Sequence, residues 1–245
     1  MRDMQYVWLW WSIAFLIPWG IFYWRFPLHR KVMLWSSILT SLFGLSEPLF
    51  VPAYWSPPSL FDLAQRTGFD IESLIFCFGI GGTGVVLYNI LTGKQLSALS
   101  LEERMRPIHR WHYVALTSPL SIFLVLVWFP WNPIYPGILA MFGGGVASTF
   151  CRRDLLRKTW IGSLLFLVYY FIFILGLEVL VPGYIRHVWN IGALTGVLIG
   201  GIPLEELLFA FAFGMFWSSV YEHLCWRELR RVGFRVEGIA THSGH

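Results

Sequence analysis

Long apolar runs separated by short polar breaks organise this chain. The runs cover residues 6–23, 32–51, 71–91, 113–129, 134–150, 160–181 and 203–221. A bilayer core is crossed by roughly 20 apolar residues in a helix. Backbone groups in lipid must pair within their own segment, so helix is the state expected for each run. The pattern predicts an all-α, polytopic membrane bundle of seven transmembrane helices.

Composition sharpens that reading. Of 245 residues, 56% are hydrophobic and only 13% charged, against ~25% charged in soluble domains. Soluble-enzyme and nucleic-acid readings fall away, and the net charge of +4 is better read as sidedness. Fifteen of the eighteen basic residues fall in alternate breaks: Arg25, Arg30 and Lys31; Lys94, Arg104, Arg106 and Arg110; Arg152, Arg153, Arg157 and Lys158; and Arg227, Arg230, Arg231 and Arg235. Arg2, Arg66 and Arg186 occupy the other side. By the positive-inside rule the N-terminus lies outside and the C-terminus in the cytoplasm of a multi-pass cell-membrane protein. The first run, preceded by one arginine and followed by no small-residue cleavage site, is read as a span rather than a secretory signal.

An internal repeat lies within the runs. Ile71-Glu72-Ser73-Leu74-Ile75-Phe76 matches Leu204-Glu205-Glu206-Leu207-Leu208-Phe209, 133 residues later. Before each comes a Val-Pro-x-Tyr block, Val51 to Tyr54 and Val181 to Tyr184, itself preceded by Glu47 or Glu178. Arg30-Lys31 and Arg157-Lys158 open the corresponding spans. The expected plan is one membrane domain: a first repeat over 1–92, a linker helix region over 93–130, a parallel second repeat over 131–223 and a cytoplasmic tail over 224–245. The piece from Val188 to Gly201 carries Gly192, Gly196 and Gly200, a spacing that lets helices approach closely. With its proline-broken counterpart from Trp55 to Asp62, it is expected at the external interface or partly re-entrant; otherwise 188–221 forms one long tilted span.

The chemistry rests on carboxylates inside apolar helices, which are expensive in lipid and so point to a polar site between the halves. Glu47, Glu72, Glu178, Glu205 and Glu206 all fall toward the external ends of their spans. Residues i and i+4 share a helix face, which sets Glu72 beside Phe76 and Glu205 beside Phe209. Clustered acids can divide into a neutral proton donor and an ionised acceptor. The simpler reading of Glu72 and Glu205 is that helix first turns stabilise negative charge; the duplicated acid–aromatic pattern favours function. Glu205 and Glu206 are about 100° apart around the helix, so only one need face the site. Tyr54, Trp55 and Tyr184 are placed near it. His187 and Asn190 are candidates to hydrogen-bond to the acids.

Other groups receive no role. Cys77, Cys151 and Cys225 show no metal or redox spacing, and no metal or cofactor is expected. His109 and His112, in a basic loop, suit interfacial anchoring, and Glu222, Glu228 and Glu237 are read as helix-end or tail residues. Lys31, Lys94 and Lys158 are read at cytoplasmic helix ends, which argues against a retinal Schiff base.

The stretch from Pro203 to Phe209 with its partner Ile71 to Phe76, and Tyr54-Trp55-Ser56-Pro57-Pro58 between the first acids, resemble the small integral-membrane lycopene cyclases. These occur as two short subunits, as a fused chain, and as a domain of fungal bifunctional enzymes. The resemblance implies non-redox cyclisation of the ends of a linear carotene to ionone-type rings. It assigns Glu205, Glu206 and Glu72 as catalytic acids. The residue pattern itself offers Glu47, Glu178, Tyr54, Trp55, Phe76, Tyr184 and Phe209 as binding or supporting groups, and leaves open whether Glu47 and Glu178 are catalytic, supporting or structural. Its partners are a hydrophobic polyprenoid or carotenoid and the bilayer, with oligomeric state open. Ser73 stands where a second acid would equalise the halves. Two other readings stay open: a small-molecule transporter with two parallel three-helix repeats, and a non-catalytic partner in isoprenoid metabolism.

The charge pattern makes one direct prediction. A fluorescent protein that matures only in the cytoplasm, fused to the C-terminus, should fluoresce, and an alkaline phosphatase fusion there should be inactive; the reverse pair of results contradicts the orientation.

Overall fold

Each expected run contains a helix, because apolar residues with few interior breakers close their own backbone hydrogen bonds. The computed structural model describes residues 4–231; Arg2, Arg235 and Glu237 lie outside the described residues. The helices are α1 (Val7–Arg25), α2 (Arg30–Ser41), α3 (Leu63–Thr67), α4 (Ile71–Thr92), α5 (Leu101–Arg104), α6 (His112–Leu126), α7 (Ile134–Cys151), α8 (Leu156–Leu180), α9 (Tyr184–Val188) and α10 (Leu204–Leu224). After α2 the chain tightens into 3-10 turns over Leu42–Leu49. Pro48 lies there, and proline both removes a helix donor and crowds the preceding turn. Asp70 starts α4 by accepting the Ser73 N–H at 2.5 Å, satisfying one of the free amides of a helix start.

Five helical segments are long and apolar enough to cross a bilayer: Val7–Arg25, Pro27–Leu49, Ile71–Thr92, Ile134–Cys151 and Arg153–Leu180. α6 has only 15 residues, and α10 includes Glu205, Glu206 and Glu222. Trp10, Ile17, Ile21, Val125, Val168 and Ile172 all point outward, an apolar surface suited to lipid rather than water.

α4 and α10 form the centre. α4 packs on α1, α2 and α10, and α10 packs on α7 and α8. Glycine permits the closest approaches. A Cβ on Gly81 would stand 2.0 Å from the Thr40 hydroxyl of α2, and one on Gly214 would stand 2.7 Å from the Ser163 Cα of α8.

The structure departs from the expected all-α plan at three places. First, the strands β1 (Lys94–Ala98), β2 (Leu198–Ile199), β3 (Ile202–Pro203) and β4 (Arg227–Arg231) form two small antiparallel sheets. β1 pairs with β4, which places residues expected in a tail into a sheet, with Leu96 opposite Leu229. Second, the 188–201 piece is no helix. It contains a 3-10 turn at Ile191–Ala193 and leads into the β2–β3 pair. Gly196, Gly200 and Gly201 adopt positive φ, so these glycines serve turns rather than helix contact.

Third, Lys158 and Glu222 are not at wet helix ends. Both are buried, and the Lys158 ammonium donates to Glu222 Oε1 and, at 2.9 Å, to the Val85 carbonyl. The lysine omitted from the bundle by sequence is thus inside it, its ammonium engaged by this pair. Asn89 Nδ2 also reaches Glu222, at 3.4 Å. Removing one partner of a buried pair strands the other charge, at about 3–5 kcal/mol, whereas replacing both with apolar groups is often tolerated. In detergent, Lys158→Met should therefore markedly lower the unfolding temperature, and Lys158→Met with Glu222→Leu should recover most of the loss. Equal melting of wild type and the single variant would contradict this account.

Candidate functional site

Two loops meet at the acid-bearing end of the bundle. After the 3-10 turns that follow α2, the chain runs through Tyr54 and Trp55; after α9 it runs through Trp189. Trp55 and Trp189 form an antiparallel bridge, in which Ser56 N–H donates to the Val188 carbonyl at 2.8 Å and Asn190 N–H to the Tyr54 carbonyl at 2.9 Å. Their rings lie 5.2 Å apart. Each indole N–H then serves a different acid: Trp55 donates to Glu47, and Trp189 donates to Glu206 at 2.7 Å.

Among the described residues, Glu206 is the carboxyl group with the most side-chain donors. The Tyr54 hydroxyl donates to its Oε1 and the Tyr170 hydroxyl donates to its Oε2 at 2.5 Å. With Trp189, three donors from three separate segments converge on one buried acid. An acid in an apolar interior requires such partners, since each unmade hydrogen bond there costs ~1–3 kcal/mol. Around them stand Trp8, 4.9 Å from Trp55 and 5.4 Å from Phe76, and Phe76, 6.2 Å from Tyr170. Phe209 packs 6.0 Å from Tyr170. The rings of Tyr54, Tyr170 and Trp189 at Glu206, with those of Trp8, Trp55, Phe76 and Phe209 packed behind them, form an aromatic box at the buried acid.

The remaining expected residues are distributed around it. Adjacent Glu205 points elsewhere, accepting from the Tyr135 hydroxyl at 2.9 Å and the Thr195 N–H at 2.8 Å. Glu72 accepts the Leu60 N–H at 2.8 Å. In both, the second carboxyl oxygen is buried without a partner. Glu178 is a turn cap: its two oxygens accept from the Gly183 N–H at 2.9 Å and the Ile185 N–H at 3.2 Å. Tyr184 is buried with its hydroxyl unpartnered. Asn190, expected to reach an acid, instead donates its side-chain N–H to the Ala53 carbonyl at 3.2 Å.

Sequence reasoning missed Trp189, Tyr170 and Asp70. The first two are ordinary members of 14 tryptophans and 10 tyrosines, with no local signal. Asp70 is fully buried as the cap of α4, and burial raises its carboxyl to about 6. At the opposite, basic end, burial lowers His109 and holds His112 at about 4.

The donor set yields a stability prediction. Tyr54→Phe and Tyr170→Phe should each destabilise the detergent-solubilised protein by about 1–3 kcal/mol, read as a lower unfolding temperature. Exposed Tyr6→Phe should change nothing. Unchanged melting in both inner variants would show that these phenols are dispensable to Glu206.

The family described as lycopene cyclase matches residues 132–224, a stretch that includes Tyr135, Tyr170, Trp189, Glu205 and Glu206. No curated protein and no solved structure matches the chain.

Proposed function

We propose, from a match that supports assigning this chain to the lycopene cyclase family, that it is a membrane carotenoid cyclase whose proton chemistry centres on Glu206. The observation that carries the reading is the carboxyl group of Glu206 held by Tyr54, Tyr170 and Trp189 inside the aromatic box. The substrate class is a hydrophobic polyprenoid with an acyclic end.

The chemistry is an isomerisation. A protein acid gives a proton to the terminal double bond, the resulting cation is closed by the neighbouring alkene to form the ring carbon–carbon bond, and a base removes a proton to restore a double bond. One proton enters and one leaves, so neither oxidant nor nucleotide is consumed. General acid–base help of this kind is worth ~10²–10⁴-fold. Aromatic faces add about 0.5–2 kcal/mol each toward a nearby cation, which suits Trp8, Trp55, Phe76 and Trp189. Glu47, across the tryptophan pair, is the second member of the proposed acid–base couple. Glu72 and Glu205, each with one unpartnered buried oxygen, are proposed to hold or relay protons at the edge of the box. Glu178 is proposed to support the turn that delivers Tyr184 and Trp189.

The seven-span plan with parallel halves and a cytoplasmic C-terminus is part of this proposal. It is supported by the basic residues in alternate breaks and by Leu96 pairing with Leu229, the same 133-residue separation that relates Glu72 to Glu205. Asn89 meeting Glu222 repeats that separation.

Expression in a bacterium that accumulates lycopene tests the reading. Wild type should convert lycopene to a cyclic product resolved by chromatography, and Glu206→Gln should cut conversion by ~10²-fold or more while inserting normally. Unchanged lycopene with confirmed membrane insertion overturns the activity; full conversion by Glu206→Gln overturns the assigned centre.

A further inference from the structure

The end of the bundle opposite the acids holds a second group of chemically active side chains that cyclisation does not use. His109 precedes α6, His112 opens α6, Cys151 closes α7, and His223 lies in the last turn of α10. All four are buried. The Cys151 sulfur lies 3.5 Å from His109 Nδ1 and 3.6 Å from His112 Nδ1, and the three donor atoms lie within 4.8 Å of one another. The His223 ring stands 4.4 Å from the His112 ring, and both of its nitrogens are buried without a partner, as is His109 Nε2. Trp226 covers the group, its ring stacked 3.9 Å over His112.

The two sulfur–nitrogen distances are those of ligands around a tetrahedral ion. With legs of about 2.3 Å to sulfur and about 2.0 Å to imidazole nitrogen, sulfur and nitrogen around zinc are separated by about 3.5 Å. The charge balance also permits a cation: the neighbouring Arg152 guanidinium is paired with Asp154 at 2.6 Å, and the Cys151 thiolate would supply a negative ligand.

We propose that Cys151, His109 and His112 form a binding site for a borderline-soft divalent transition metal, zinc or a close analogue, flanked by His223. Nitrogen and thiolate ligands select such ions over magnesium or calcium. The site joins the start of α6 to the ends of α7 and α10. α6 packs chiefly on α7 and has few contacts with the rest of the bundle, so the ion would act as a clasp that fastens it. The proposal is independent of the activity assigned above.

The full-length protein, purified in detergent after chelator treatment, should take up one Co²⁺ per chain and develop a thiolate-to-cobalt charge-transfer band, with Zn²⁺ displacing it. Binding at neutral pH should release a proton, because the thiol enters as thiolate. Cys151→Ser should abolish the charge-transfer band, and His112→Ala should weaken Co²⁺ binding at least ~10-fold, while the exposed Cys225→Ser should leave both unchanged. Sub-stoichiometric uptake by the folded wild type, or cobalt uptake without the thiolate band, overturns the proposal whether or not the variants fold. A band that persists in folded Cys151→Ser overturns it equally.

Discussion

A carboxyl group can sit in an apolar bundle only if the protein supplies the hydrogen bonds that water would have made. Much of this fold follows from that constraint. Glu206 obtains its donors from the Tyr54 loop, from α8 through Tyr170 and from the segment after α9 through Trp189. None of these is near it in sequence except Trp189. The position of one acid therefore fixes how the two loops meet, and the Trp55–Trp189 bridge is the backbone expression of that meeting. The basic end answers the same demand differently, setting Lys158 against Glu222 inside the bundle.

On the proposed function, the two ends divide stability and chemistry between them. A matched ion pair such as Lys158–Glu222 neutralises itself and invites no further reaction. A carboxyl group held by neutral phenols and an indole keeps its capacity to accept or yield a proton. In the proposed reaction, the rings around it would keep water from a carbocation. In the same proposal, an apolar substrate end reaches Glu206 only as rings of this box move aside.

The five long apolar helical segments were legible because their signal is local: each is apolar over its own length. The acids at 47, 72, 205 and 206 were legible because charge is rare in such runs. What the chain does not display is partnership across it. Nothing around Tyr170 or Trp189 distinguishes them from other aromatics on apolar helices. Lys158 and Glu222 each look like a helix-end charge until α8 and α10 are packed together. Cys151 lacks metal spacing because its neighbours, His109 and His112, arrive from the far side of α6. The glycine spacing near residue 196 does not tell its use, because the same residue type serves close helix contact and positive φ; Gly196 and Gly200 take the latter.

The antiparallel pairing of β1 with β4 has a broader meaning. Its central residues, Leu96 and Leu229, are 133 residues apart, as Glu72 and Glu205 are, and in the proposed repeat theirs is the contact that identical subunits make across a twofold axis. Such a contact is self-complementary and needs no covalent link between the participants. In the proposed repeat, this is the contact that a half-length chain would make with its own copy, with Glu206 in one half at the place that Ser73 holds in the other.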